Sequence, residues 1–147
     1  MSLESSKKVL KLAGFLTIVG GILAILGGLL STFMGGVASQ APEIQTDAKL
    51  AEGASVLLTA GVIEAIAGLV SLFEGIFTYQ AGKNGTHTGA AYVFAFIGLT
   101  SSILQAIDLF AFQTTRPTST IISVVLAVVL NIGILMAASK VRKEYRK

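Results

Sequence analysis

GFLTIVGGILAILGGLLSTFMGG, residues 14–36, is apolar throughout and yet contains seven glycines. Glycine costs a helix interior roughly 1 kcal/mol against alanine, so a helix built this way needs a reason. Twenty-three residues at a rise of ~1.5 Å reach about 35 Å, enough to cross ~30 Å of hydrocarbon. Lipid forbids an unpaired backbone and so enforces the helix despite poor propensity. What the glycines add is then a matter of packing.

Counted by sevens, Gly14, Gly21, Gly28 and Gly35 fall in one column, with Thr17, Ala24 and Ser31 three residues further on in each interval. The next apolar stretch repeats the plan: Gly61, Gly68, Gly75 and Gly82 in one column, with Glu64, Ser71 and Thr78 in the other. A seven-residue repeat keeps one face aligned along a left-handed crossing, and small residues on it let two backbones approach closely. Between lipid-bathed helices no hydrophobic gain drives association, so contact density must supply it. These eight glycines are therefore helix-packing candidates, and the first two spans are expected to form a tight antiparallel pair.

The rest of the chain fits the same setting. Of 147 residues, 53% are hydrophobic and 13% charged, with a mean hydropathy of +0.79, which makes the bilayer rather than water the expected solvent. Four stretches are long enough to span it, about residues 9–36, 54–81, 89–112 and 118–139. The expectation is all-α: a single four-helix transmembrane domain over 1–147, arranged as an antiparallel up-down bundle. Lys7, Lys8 and Lys11 before the first span imitate a secretion signal, but the apolar core far exceeds the ~7–15 residues of a signal h-region, so a retained helix is expected.

Orientation follows lysine and arginine in the short loops. The N-terminal segment, the loop carrying Lys83 and the tail KVRKEYRK hold nine such residues, against two, Lys49 and Arg116, on the other side. Both termini and the loop AGKNGTHTG are thereby expected in the cytoplasm of a bacterial inner membrane. The segment 37–53, acidic through Glu43, Asp47 and Glu52, and QTTRP (113–117) are expected outside, the first as an exposed loop. Asn84-Gly85 suits a tight turn, since both residues tolerate positive φ.

In the third span Ala91, Gly98, Ser101, Gln105 and Asp108 share a stripe, and in the fourth Thr120, Ser123, Ala127, Asn131 and Ala138; both stripes are expected to face inward. Three carboxylates fall within spans. Glu64 comes out about 15 Å from the outer end, close to the midplane, whereas Glu74 and Asp108 lie near the interfaces. An ionised group at the centre costs at least ~2.5–3.5 kcal/mol, so Glu64 is expected to be neutral, hydrogen-bonded or beside water. Gln105, at nearly the same depth on the third span, is a candidate partner, and Asn131 a further polar group along the same route.

The glycine columns followed by a mid-span carboxylate resemble the hairpin of rotary-ATPase proteolipid subunits, where Glu64 would correspond to the ion-carrying carboxylate. The likeness covers two spans only; the long acidic connection and the missing Arg-Gln-Pro turn depart from it. Small multidrug-resistance transporters place their glutamate in the first helix, which here has none. Over its whole length the chain resembles small, uncharacterised bacterial four-span membrane proteins, with a KVLKLAGFLTIVGGILAILGG opening and an SLFEGIFTYQAGKN segment before the third span. That resemblance implies no activity.

No Ser/His/Asp set, HExxH, GxGxxG or P-loop pattern occurs, and with no cysteine and one histidine, His87, no metal site is expected. The reading is not an enzyme and calls for no cofactor. It is a small membrane protein with a structural or interaction role, self-associating or binding another membrane protein through glycine surface that its own bundle leaves uncovered. The alternative is a proton-coupled transporter or ion-conducting subunit, with Glu64 as carrier and Gln105 and Asn131 beside it. Expected partners are the lipid bilayer, a second copy or another membrane protein, and anionic lipid at the basic C-terminal tail; the positive charge at span ends is no sign of nucleic-acid binding.

Overall fold

The computed structural model describes residues 2–112 and 118–145. These form five α-helices: α1 (Leu3–Ser39), α2 (Pro42–Thr46), α3 (Ala48–Asn84), α4 (Thr88–Ile107), continued by a π-helical turn over Asp108–Phe112, and α5 (Thr118–Tyr145). No strand occurs among the described residues. Four helices are long and apolar enough to cross a membrane, α1, α3, α4 with its π-helical extension, and α5. QTTRP, expected as an external connection, lies outside the described residues.

The segment 37–53 is not the loop its acidity suggested. It is almost wholly helical, because each break is supplied with its own stop or start. Pro42 opens α2, where its missing N–H costs nothing. Asp47 then starts α3: its Oδ1 accepts the backbone N–H of Lys49 at 2.9 Å and of Leu50 at 3.4 Å, satisfying donors that the first turn leaves orphaned.

At the other end of α3, Gly85 takes φ +71° and its N–H reaches the carbonyl of Ala81 at 3.1 Å, an αL cap that ends the helix. The second left-handed residue is His87, φ 57°, and not Asn84, which remains helical. The His87 ring sits 5.4 Å from Phe77, which in turn stacks 5.8 Å from Phe94.

The chain divides into two compact units, Met1–Leu16 with Glu74–Lys147, and Thr17–Phe73. In the first, Leu10, Ala13, Ala81, Ala91, Ala95, Ile134, Ala137, Ala138 and Val141 form a buried core flanked by Leu3, Leu130 and Leu135. Six of those nine are alanines, so helices converge there through small side chains. The second unit consists of the C-terminal part of α1, α2 and the first two-thirds of α3. Its large side chains point outward: Leu23, Phe33 and Ile63 are each more than 60% exposed, as suits segments whose solvent is acyl chain.

Candidate functional site

The glycine columns lie along contacts between α1 and α3 inside each unit. In the second unit, a β-carbon placed on Gly21 would stand 2.8 Å from both the Gly68 carbonyl oxygen and the Leu72 nitrogen. One placed on Gly28 would meet the Gly61 oxygen at 2.5 Å and the Ala65 Cα at 2.9 Å. On Gly35 it would meet the Leu58 nitrogen at 2.6 Å and the Ala54 oxygen at 3.0 Å. The relation is mutual, since Gly61 faces Gly28 O at 2.6 Å and Gly68 faces Gly21 O at 2.8 Å. As contact numbers climb along α1 they descend along α3.

The first unit repeats the arrangement on different residues. Gly14 lies against Gly75 O, 2.8 Å, and Tyr79 Cα, 2.7 Å, and Gly82 against Lys7 O and the Lys11 nitrogen, both 2.7 Å. Gly75 is itself buried. At each position the opposing atoms include main chain, which cannot swing aside as a side-chain tip can. Ala54, seven residues before Gly61, is also buried; its place in the column was readable from the spacing but masked by its being alanine.

The seam is thus occupied by the facing helix within each unit. Gly20, Gly36, Gly53, Gly89 and Gly133 have open space where a β-carbon would go. Gly27 stands between these cases: what lies above it is the Glu64 carboxyl, with Oε1 3.2 Å from the β-carbon position. Glu64 is exposed among Ile63, Ile66 and Leu69, and no hydrogen bond or ion pair to it occurs among the described residues. Gly20, Gly27 and Glu64 therefore share one open face of the second unit.

Gln105 belongs to the first unit, where it lines a cleft of about 440 Å³ with Ser101, Leu104, Asp108, Leu109, Thr120 and Val124. The cleft opens where α4 widens into its π-helical turn, a local expansion often met at functional places. Asn131 lies elsewhere, 8% exposed, over Gly98, whose missing β-carbon leaves it room: Oδ1 is 2.6 Å from that position. Its Nδ2 donates to the Ala127 carbonyl at 2.8 Å, while buried Oδ1 has no partner among the described residues. Thr78 Oγ1 is likewise buried, with no partner among the described residues.

Of the stripes expected on α4 and α5, Ala91, Asn131 and Ala138 are buried and Gly98 lies under Asn131, while Gln105, Asp108 and Thr120 are exposed and the two serines miss the buried face by one residue. Ser102, not Ser101, is buried, and Val124, not Ser123. Ser102 donates to Gly98 O at 2.8 Å, and exposed Ser123 donates to Ser119 O at 2.9 Å. A hydroxyl that bonds its own helix four residues back carries no information about which way the helix faces.

Comparison with protein-family models, with curated proteins and with solved structures finds no match to this chain.

Proposed function

We propose that this is a small polytopic membrane protein whose role is structural or interactional, and that it associates with a second copy or another membrane protein through the face bearing Gly20, Gly27 and Glu64. In this reading α1, α3, α4 and α5 form an antiparallel up-down bundle in a bacterial inner membrane, with both termini and the α3–α4 turn in the cytoplasm, as the nine-to-two distribution of basic residues favours.

One observation carries the interaction role: a mid-span carboxyl that has no partner within the described chain. A polar group at such depth is retained only where something satisfies it, and a hydrogen bond from a neighbouring helix does so. Glycines beside it allow that helix to come close. The test is the oligomeric state in nanodiscs. Glu64→Gln, which still hydrogen-bonds, keeps the association; Glu64→Leu abolishes it. A wild-type protein that is strictly monomeric and co-purifies with nothing overturns the reading.

The second reading, proton-coupled transport through Glu64, draws on the cleft holding Gln105 and on the Asn131 oxygen that has no partner among the described residues. Proton flux into liposomes separates the two. Transport requires flux in the wild type and none in Glu64→Gln; equal flux in both leaves the interaction role.

A further inference from the structure

At the opposite end of α4 from the Gln105 cleft, a cavity of about 280 Å³ is lined by Tyr92 of α4 and by Ser139, Arg142 and Lys143 of α5. Every lining residue carries a hydrogen-bond donor. Two are basic side chains, a guanidinium and an ammonium, and the tyrosine and serine contribute hydroxyls. Neither cation is paired with a carboxylate, and neither hydroxyl is hydrogen-bonded, among the described residues. Ser139 and Arg142 are half-buried, so these groups are held at a wall of the cavity and are not simply dispersed in water. Gly89, one turn before Tyr92, has nothing within 4 Å of its β-carbon position, which leaves the approach along α4 clear.

We propose that this cavity is a binding site for the phosphodiester of a net-anionic membrane lipid. Four convergent donors call for a ligand with several acceptor oxygens and negative charge. Arg142 presents the planar fork that matches phosphate oxygens in pairs, and Lys143 a point charge. The position selects a lipid over a soluble anion: Tyr92 sits one turn inside an apolar helix, where amphipathic rings mark the level of headgroups, and the two cations follow the last apolar turn of α5. Topology anchoring by a basic tail explains cations at a span end, but it requires neither their convergence with two hydroxyls nor a cavity.

The site rests on the reading of α4 and α5 as membrane-spanning, not on the Glu64 interface, so loss of the oligomer would leave it standing. Its test is native mass spectrometry of the purified full chain, released from detergent with equal phosphatidylglycerol and phosphatidylcholine. The wild type retains phosphatidylglycerol preferentially. Arg142→Gln weakens retention about fivefold, the scale of one charge near an anionic surface, and Tyr92→Phe and Ser139→Ala weaken it without loss of helicity. Lys140→Gln, exposed on the same helix but outside the lining, leaves retention unchanged. If Lys140→Gln costs as much as Arg142→Gln while the two hydroxyl variants do nothing, the attraction is diffuse tail charge and the site is overturned. Stripping of the lipid by millimolar inorganic phosphate, with phosphate retained in its place, overturns the assignment to a lipid.

Discussion

What a single glycine contributes in this chain depends on what faces its α-carbon, as Gly28 and Gly20 show at the two extremes. At Gly28 an added methyl would meet Gly61 O at 2.5 Å and the Ala65 backbone, so the helices must separate to admit it. At Gly20 nothing stands within 4 Å. Gly28→Ala is therefore expected to cost about 1–3 kcal/mol, the range of overpacking in a close-packed contact. Gly20→Ala should match or exceed the wild type, because alanine is the better helix former. Unfolding in detergent followed by circular dichroism measures both. Equal midpoints would mean that the close approach contributes nothing. The columns themselves are legible in the spacing of seven; that Gly27 shelters a carboxyl instead of a backbone is not, because it depends on the rotation of one helix against its neighbour.

Among the elements, legibility followed the chemistry that ends each helix. Gly85 announces a stop, but nothing in the sequence shows that the Tyr145 ring fills the space where its β-carbon would lie. That ring also accepts Lys7, whose Nζ donates to its hydroxyl at 2.8 Å and lies 5.0 Å from its centroid. Gly85→Ala thus incurs two penalties, about 1–2 kcal/mol for a left-handed φ and a further steric one. The two can be separated by a double-mutant cycle with Tyr145→Ala. The glycine substitution should cost less in the Tyr145→Ala background, leaving the dihedral part alone. A full cost in both backgrounds would assign the whole effect to φ. By contrast, the inward serine of α4 is Ser102 and not Ser101, and Ser123 of α5 stays exposed while Val124 is buried, because Ser102 and Ser123 each bond a carbonyl of their own helix and are satisfied on either face.

For the whole molecule, apolar length alone reveals four candidate spans, whereas orientation rests on charge, which leaves no trace in helix geometry. Nine basic residues on one side and two on the other make a definite expectation. The absence of cysteine gives single thiols a silent background against which to test it. Thr46→Cys, in α2, should react with a membrane-impermeant maleimide added to intact bacterial cells. Asn84→Cys, at the end of α3, and Glu144→Cys, near the end of α5, should react only after the membrane is opened. All three positions are exposed on the chain, so failure to label from outside reports the membrane and not burial. The reverse pattern would invert the protein and put Arg142 and Lys143 in the outer leaflet. Labelling of Thr46→Cys and Asn84→Cys from the same side would show that α3 does not cross the bilayer, and would remove the depth on which the reading of Glu64 depends.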